Sequence, residues 1–425
     1  MTTETLYYEK RETLVPELRF KEFEGEWTEK YLGNCIDLLT DYHANGSYER
    51  LKENVELLEE ENYAVIIRTT NFEKKDFQKN LLYIDENAFN FLKKSKVYPD
   101  DIIINKIANA GATYLMPDLN RPVSLAMNLF LLRIKKEHSA RYIYTQIKTK
   151  EHLLRALASG TGTKTITKQD VRNFEINIPT LKEQQKIASF LSAVDKKIQQ
   201  LSRRKELLEQ YKKGLMQELF FGKLRFKDEN GGDYPDWEEK KLGNIVTLLK
   251  DGSHGSHKDV PDGKYYLLSA KNIRNGQINI DDDDRKISEA DFNAIYKNYS
   301  LKENDILLTI VGTIGRLAIY KGEKNISFQR SVAFFRFENV YSNYMFQLMN
   351  GNAFQKELEN RKVVSAQPGI YLGDLAKISL NIPHFEEQQK IANFLSTIDT
   401  KIESVNQQIT QTQTFKKGLL QKMFV

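Results

Sequence analysis

The chain has 425 residues, of which 40% are apolar and 28% charged, and its formal net charge is +5 at pH 7. This size and composition are typical of a folded protein of two or three domains. Cys35 is the only cysteine, which excludes an internal disulfide and a cysteine-rich metal site. The N-terminus is too charged for a signal peptide, and no apolar run approaches the length of a membrane span. We therefore expect a cytoplasmic protein that does not contact a membrane.

The first part of the chain, residues 1–182, predicts a domain of mixed strands and helices. Four apolar runs predict strands, and one run between the third and the fourth predicts a helix. The predicted strands are Tyr63–Arg68, Asp101–Ile107, Val123–Ile134 and Phe174–Pro179, and the predicted helix is Arg141–Ala158. Long polar loops connect these elements. This pattern indicates an α+β domain, which we call the first head.

A long helix is predicted next, over residues 183–222. Thr180 and Glu183 have the spacing of a capping box directly after Pro179, which predicts where the helix begins. Apolar residues then recur every seven positions, with a second row four residues after the first. A heptad repeat sustained over this length is typical of a coiled coil.

The second half of the chain repeats this plan 204 residues later. Glu183–Ile198 and Glu387–Ile402 are identical at 12 of 16 positions. Residues 223–386 predict a second α+β domain, the second head, and residues 387–425 predict a second long helix. The predicted strands of the second head are Tyr265–Ala270, Asp305–Val311, Ser331–Phe337 and Lys377–Pro383, and its predicted helix is Tyr341–Arg361. The long helices keep their sequence while the heads diverge, which indicates a fixed frame that carries two differently specialised heads.

Neither long helix can bury its apolar stripe alone, so we expect the two helices to pack against each other. A pseudo-twofold relation between the repeats predicts that they run antiparallel and separate the heads. The residues predicted for the helix–helix interface are Ile187, Leu191, Val194, Ile198, Leu201, Leu208, Leu215, Ile391, Leu395, Ile398, Ile402, Val405, Ile409 and Leu419. An unrelated dimerisation helix that is used twice is the alternative interpretation of this pattern.

The net charge does not by itself indicate a nucleic-acid partner. The segments 183–219 and 387–425 together carry 13 basic and 8 acidic residues, so they account for the whole net charge. A DNA-binding surface must therefore arise from local clusters. Polar loops that could form such clusters occupy equivalent places in the two heads. They are Thr40–Val55 and Ala158–Asp170 in the first head, and Lys250–Lys264 and Val363–Asp374 in the second.

The motifs of the common enzyme classes are missing from this sequence. Ser159–Lys164 is rich in glycine but lacks the spacing of a P-loop, and the tetrapeptide of amino-methyltransferases does not occur. A nuclease-like pattern, Pro-Asp followed later by an acidic residue, any residue and Lys, occurs twice in overlapping segments. Such a common pattern does not indicate a nuclease. Asp251, His254 and His257 lie in a flexible Gly-Ser loop that places them poorly for a metal ion, so no metal site is predicted. Asp281–Asp284 predicts a solvated acidic loop.

These segments together resemble the specificity subunit of type I restriction-modification enzymes. The resemblance covers essentially the whole chain. It is carried by the paired NIP…EQQKIA.FLS..D.KI and KKGL.Q..F segments, the W..K.LG openings, and the loops DGSHGSH…LLSAKNI and ANGSY..LKENV. It implies two target-recognition domains, each reading one half of a bipartite site in double-stranded DNA, and antiparallel helices that space them and dock methyltransferase subunits.

The resemblance also implies that this chain is not an enzyme by itself. The expected partners are two methyltransferase (modification) subunits and the ATP-driven restriction subunits. S-adenosylmethionine, ATP and Mg are expected in those partners, and no cofactor is expected in this chain. A coiled-coil scaffold that binds only proteins is the main alternative, and its heads would ignore duplex DNA. A fused nuclease or methyltransferase is a third possibility, against which the missing motifs argue.

The polar loops and the strand ends supply the candidate DNA contacts, because their side chains can reach phosphates and base edges. In the first head these are Asn45, Ser47, Arg68, Lys106, Thr161, Thr163 and Lys164. In the second head they are Ser253, His254, Lys258, Lys271, Arg274, Arg316, Arg330 and Gln367.

Overall fold

The computed structural model of the protein describes residues 13–363 and 368–425. Its contacts divide the chain into two compact units, and neither is a continuous stretch of sequence. The first unit contains the described residues up to Gln200 together with Ile409–Val425, and the second is Leu201–Gln408. Each unit therefore combines one head with a stretch of both long helices. The predicted α+β class with an internal repeat is confirmed.

The first head is built on two four-stranded sheets. Its strands are β1 (Thr28–Tyr31), β2 (Ile36–Asp41), β3 (Ala64–Ile67), β4 (Leu82–Ile84), β5 (Lys96–Val97), β6 (Ile102–Asn105), β7 (Thr113–Leu115), β8 (Val123–Leu125), β9 (Leu129–Ile134) and β10 (Glu175–Ile178). Its helices are α1 (Tyr48–Asn54), α2 (Thr69–Glu73), α3 (Glu86–Phe91), α4 (Ala140–Thr149), α5 (Glu151–Ala156) and α6 (Lys168–Arg172). One sheet is antiparallel with the order β2-β9-β6-β7, and the other has the order β4-β3-β8-β5 with β3 and β8 parallel. β1 pairs with β10.

The second head lies in sequence between the long helices α7 (Leu181–Phe220) and α13 (Phe385–Met423), and it repeats this arrangement with three strands instead of four in its second sheet. Its strands are β11 (Glu238–Lys241), β12 (Val246–Asp251), β13 (Tyr265–Leu268), β14 (Ile273–Arg274), β15 (Gln277–Ile278), β16 (Lys286–Ile287), β17 (Ile306–Thr309), β18 (Leu317–Ile319), β19 (Ile326–Phe328), β20 (Val332–Phe337) and β21 (Ser379–Ile382). Its helices are α8 (Leu242–Ile245), α9 (Glu289–Asn298), α10 (Ser342–Asn350), α11 (Asn352–Asn360) and α12 (Leu372–Ala376). The sheet β12-β20-β17-β18 reproduces β2-β9-β6-β7 strand for strand. Its central strand β17 is buried at every position, as is β6, and both strands are apolar except at their last residue, which is expected of strands covered on both faces.

Three predicted elements are divided in the structure, and one of them is the predicted helix Tyr341–Arg361, which forms α10 and α11 on either side of Gly351. The run Val123–Ile134, predicted as one strand, forms β8 and β9 in different sheets. Asn128 lies between them with φ +70°, a backbone conformation that asparagine tolerates better than most residues. The predicted helix Arg141–Ala158 forms α4 and α5, which are separated at Lys150.

Both long helices contribute to the core of each head. In the first unit, Ile187 and Leu191 of α7 and Leu419 of α13 pack in one cluster with Tyr142 of α4 and Ile104 of β6. In the second unit, Met216 and Leu219 of α7 and Ile391, Leu395 and Ile398 of α13 join the equivalent cluster. All fourteen residues predicted for the helix–helix interface are buried or half-buried.

Polar pairs interrupt the apolar seam between the helices within each unit. In the second unit, Lys205 Nζ lies 2.8 Å from Asn406 Oδ1 and Lys212 Nζ lies 2.6 Å from Asp399 Oδ1. The position on α13 falls as the position on α7 rises, so the two stretches run antiparallel in this unit. In the first unit, Lys416 Nζ lies 2.5 Å from Asp195 Oδ1. This pair is the repeat of Lys212 and Asp399.

The repeated EQQ sequence fixes the start of each long helix to its head. Gln184 accepts a hydrogen bond from Ser139 N at 2.9 Å and donates one to Pro179 O at 2.9 Å, and Gln388 makes the equivalent pair of bonds. The predicted capping box is only half formed. Glu183 N donates to Thr180 Oγ1 at 3.4 Å, but the Glu183 carboxylate binds Arg19 and Trp27 instead of the start of its own helix.

Among the residues that the structure describes, no helix has both the length and the apolar character that crossing a bilayer requires.

Candidate nucleic-acid interface

The same framework forms one edge of the main sheet in both heads. In the first head, Ser159 and Thr165 pair across a hairpin, and Thr165 also pairs with Ile107 at the end of β6. In the second head, Val363 pairs with Gly369, which also pairs with Val311 at the end of β17. These three positions lie 204 residues after their counterparts. The predicted equivalence of the two hairpin loops is therefore confirmed.

In the first head, this edge holds a cluster of three charged residues that we call the lysine pair site: Asp41, Lys106 and Lys168. Lys168 Nζ lies 3.2 Å and Lys106 Nζ 3.9 Å from Asp41 Oδ2. Both ammonium groups lie over the ring of Phe130, at 5.7 and 6.0 Å from its centroid. Asp41 is held in place because its Oδ1 accepts a hydrogen bond from Ala44 N at 3.1 Å. Sequence reasoning did not select Lys168 and Asp41, although both lie in the candidate loops.

The other candidates of the first head divide into residues that hold loops and residues that are exposed. Asn45 donates to Tyr42 O and Ser95 Oγ and accepts from Lys94 N, so its amide joins two segments of the head. Ser47 caps α1, and Arg68 donates to Asn80 O at 2.8 Å. Ser47 is exposed as well, and three further exposed candidates lie together at the hairpin tip. They are Thr161, Thr163 and Lys164.

In the second head, the equivalent edge forms a cleft of about 480 Å³. Asp251 ends β12 as Asp41 ends β2, and the predicted contacts His254 and Arg330 line the cleft with it. The remaining lining residues are Ile310, Val311, Val363, Gly369, Ile370, Tyr371 and Leu372. Ile310 and Leu372 occupy the positions of Lys106 and Lys168, so apolar side chains replace both lysines of the first head.

The loop Asp251–Asp259 is fixed by several hydrogen bonds. Ser253 Oγ lies 2.8 Å from His257 Nε2, and His257 Nδ1 lies 3.1 Å from Asp291 Oδ1. His254 Nε2 lies 2.7 Å from Asp251 Oδ2. Arg285 donates to His257 O and pairs with Asp259. The two histidines therefore bind different carboxylates and do not converge on one point.

The remaining candidates of the second head differ in whether their side chains form ion pairs within the protein. Arg274 and Lys258 are both exposed, and Arg274 pairs with Asp281 at 3.1 Å. Arg316 and Arg330 are also exposed, and within the described part of the chain neither has a carboxylate partner. Gln367 lies outside the described residues.

Lys271 forms an ion pair with Asp284, at 2.6 Å, which corrects the interpretation of the acidic loop. Asp284 is buried and accepts hydrogen bonds from Asp281 N at 2.8 Å and Asn272 Nδ2 at 2.7 Å. Burial opposes the ionised form of Asp284, but the bond from Asp281 N and the contact with Lys271 outweigh burial and lower its pKa. Three members of the run are exposed, whereas Asp284 organises the loop from inside.

Comparison with known proteins identifies the family. Residues 27–210 and 234–413 each match the family model of the type I restriction modification DNA specificity domain. The chain is 30% identical over 291 residues to the type I restriction enzyme MjaVIII specificity subunit of Methanocaldococcus jannaschii, which covers 66% of this chain and 68% of that protein. It is 22% identical over 349 residues to the EcoBI specificity subunit of Escherichia coli, over 77% of this chain and 72% of that protein.

Solved structures of low sequence identity share the fold. The S subunit of a type I restriction-modification system from M. genitalium matches with a TM-score of 0.59 at 16% identity, over 97% of this chain and 99% of that one. A chain from a study of complex assembly and conformational transition in the type I system matches with a TM-score of 0.53 at 14% identity, over 93% and 95% of the two chains. The two family-model matches span most of the sequence, and the chain therefore belongs to the type I restriction-modification DNA specificity family.

Proposed function

We infer that this chain is the DNA-recognition subunit of a type I restriction-modification enzyme and that each head reads one half of a bipartite site. The observation that carries this inference is the equivalent sheet edge of the two heads. The framework of strand ends and hairpin is the same, but Lys106 and Lys168 in one head correspond to Ile310 and Leu372 in the other. Different polar groups on one framework are suited to reading different base sequences.

We further propose that the catalytic steps belong to partner subunits. Two methyltransferase subunits would dock on the long helices, and restriction subunits would join them. S-adenosylmethionine, ATP and Mg would be bound by those partners, in the cytoplasm. The missing enzymatic motifs in the sequence support this division of labour, and the relatives described above are themselves named specificity subunits. The long helices would set the length of the unspecific spacer between the half-sites.

An exchange of heads tests the proposed function. Residues 35–170 are replaced by the matching segment of a relative, and the chain is produced together with its methyltransferase subunits. Sequencing of methylated bases in the host genome should then show one changed half-site and one unchanged half-site. A change in both half-sites, or in neither, would contradict the modular recognition. Methylation of DNA by the purified chain alone would contradict the assignment of catalysis to the partners.

A further inference from the structure

The lysine pair site combines donors and an acceptor from three separate elements. Asp41 ends β2, Lys106 follows β6 directly, and Lys168 begins α6. Hydrogen bonds hold two of the three residues, because Asp41 Oδ1 accepts from Ala44 N and the backbone Lys106 N donates to Asn128 O at 2.8 Å. Their side chains are nonetheless accessible, at 31% for Lys106, 38% for Lys168 and 12% for Asp41. The contacts of Asp41 with the two lysines therefore bring the three groups together without a ligand.

The hydrogen-bonding capacity of this site exceeds what the protein uses. Each ammonium group has three donors, and among the residues that the structure describes only Asp41 Oδ2, at 3.2 and 3.9 Å, offers them an oxygen. The buried ring of Phe130 forms the floor under both groups. Donors and one carboxylate oxygen therefore face the open side together, next to the exposed hairpin tip.

We propose that the lysine pair site reads a G·C base pair in the major groove, within the half-site of the first head. Lys106 and Lys168 donate to guanine O6 and N7, and Asp41 accepts from the amino group of cytosine N4. Lysine to guanine and aspartate to cytosine are the pairings that the groove edges of this base pair favour. This assignment rests on the proposed function, because it presupposes that the first head binds duplex DNA.

A base pair fits the site better than a phosphate group does. The carboxylate between the lysines removes one of their two positive charges and would repel a phosphate oxygen that approached both ammonium groups. A phosphate also offers no hydrogen-bond donor for Asp41. The second head lacks both lysines at the equivalent edge, so this mode of reading is confined to the first head.

The test uses the complete methyltransferase complex and the sequencing of methylated sites. Lys106→Met and Lys168→Met keep an apolar stem over Phe130 but remove the donors, and Asp41→Asn removes the carboxylate while its oxygen can still cap Ala44 N. Lys136→Met is the matched control, because Lys136 is an exposed lysine of the same head beyond the opposite end of β9 from Phe130. Discrimination at one G·C position should fall by roughly 5- to 150-fold in the three site variants, which corresponds to about 1–3 kcal/mol per base contact. The control should keep the motif.

Every other outcome overturns the proposal. An unchanged motif with normal methylation would show that the site does not touch DNA. A uniform loss of affinity with an unchanged motif, together with a weaker salt dependence, would show a phosphate contact. If a lysine variant does not fold, Asp41→Asn alone decides between these results. The head exchange assigns the half-site that the wild-type first head reads. If that half-site contains no G·C pair, the proposal is wrong. If the wild-type complex methylates no defined bipartite site, the proposed function itself fails, which is a distinguishable result.

Discussion

The Arg19 guanidinium donates two parallel hydrogen bonds to the Glu183 carboxylate. Arg19 Nε to Glu183 Oε1 and Arg19 Nη2 to Glu183 Oε2 both measure 2.8 Å, and the Glu183 side chain is 1% exposed. The bond with Glu183 raises the pKa of Arg19. Arg225 and Glu387 form the same two bonds, at 3.1 and 2.8 Å, in the second unit. The most similar stretch of the two repeats therefore begins at the residue that ties each long helix to its head.

Replacing this glutamate should destabilise the unit that contains it. Glu183→Gln removes the charge that pairs with Arg19, and we expect the free energy of unfolding to fall by about 1.5–3 kcal/mol, the range for hydrogen bonds to charged groups. Glu387→Gln should have a similar effect on the second unit. Urea unfolding measures both changes, with Glu403→Gln as the control because Glu403 is an exposed position of α13. An equal loss of unfolding free energy in the control would contradict a specific stabilising role for the arginine–glutamate pairs.

The two equivalent ion pairs of the helical seam should differ in strength. Lys212 is 16% exposed, and its partner Asp399 also accepts a hydrogen bond from Gln347 at 2.7 Å. Asp195 and Lys416 are more open to water overall. Double-mutant cycles with alanine should give a coupling energy of about 1 kcal/mol or less for each pair, and the larger value for Lys212 and Asp399. A larger value for Asp195 and Lys416 would contradict this order.

Glycine is required at position 252. A Cβ atom there would overlap the backbone oxygens of Phe328 and Gln329, which cannot rotate away. We expect Gly252→Ala to displace the loop that carries Ser253 and His254, to destabilise the second unit by roughly 1–3 kcal/mol, and to weaken DNA binding. Gly373→Ala is the matched control, because a Cβ atom there meets nothing within 4 Å. Thermal unfolding and gel-shift titration compare the two variants, and equal behaviour would refute the steric argument.

The Cys35 thiol should report on the first unit alone. It is the only cysteine of the chain and is fully buried, and burial raises its pKa. A raised pKa lowers the fraction of reactive thiolate at any pH below it, so iodoacetamide at pH 8 should label the native protein very slowly. Labelling should become rapid in urea at the concentration where the first unit unfolds. Mass spectrometry measures the labelling. Rapid labelling of the native protein would contradict the burial of Cys35.

Lengthening the helices should lengthen the DNA spacer. Four residues inserted in α7 between Gln200 and Leu201, and four in α13 between Gln408 and Ile409, leave all contacts inside each unit unchanged. Four helical residues add about 6 Å at 1.5 Å per residue, which corresponds to one or two base pairs at about 3.4 Å each. Methylated-base sequencing should therefore find both half-sites unchanged and the gap between them longer. An unchanged gap with full activity would show that the helices do not set the spacer.

The repeat made most of the fold predictable, because two copies of one plan show which segments belong to the frame. Periodicity located β6, β17 and both long helices to within a few residues. The break at Asn128 was not predictable, because the flanking apolar residues fit a single strand as well as two. The role of Asp284 was missed because its contacts with Lys271 and Asn272 depend on how the loop folds back.

The candidate site was harder to predict than the fold. Lys106 was a candidate because it lies near the end of a predicted strand, but its neighbour Lys168 is more than sixty residues away in sequence and only the hairpin brings the two together. Asn45 looked like a free polar side chain, yet all its hydrogen bonds are internal. Pairings of this kind depend on tertiary contacts that a local pattern does not encode.

The core of the first unit closes only with Leu419 and Met423 of α13. Asn177 Nδ2 also donates to Val425 O at 2.6 Å, and Leu18 N donates to Lys422 O at 2.8 Å. During synthesis, the first head therefore emerges from the ribosome more than two hundred residues before the α13 residues that complete its core. The second unit, Leu201–Gln408, is already complete in sequence by that time. A nonsense codon shortly after Gln408 should accordingly leave the first unit unfolded and the second unit folded.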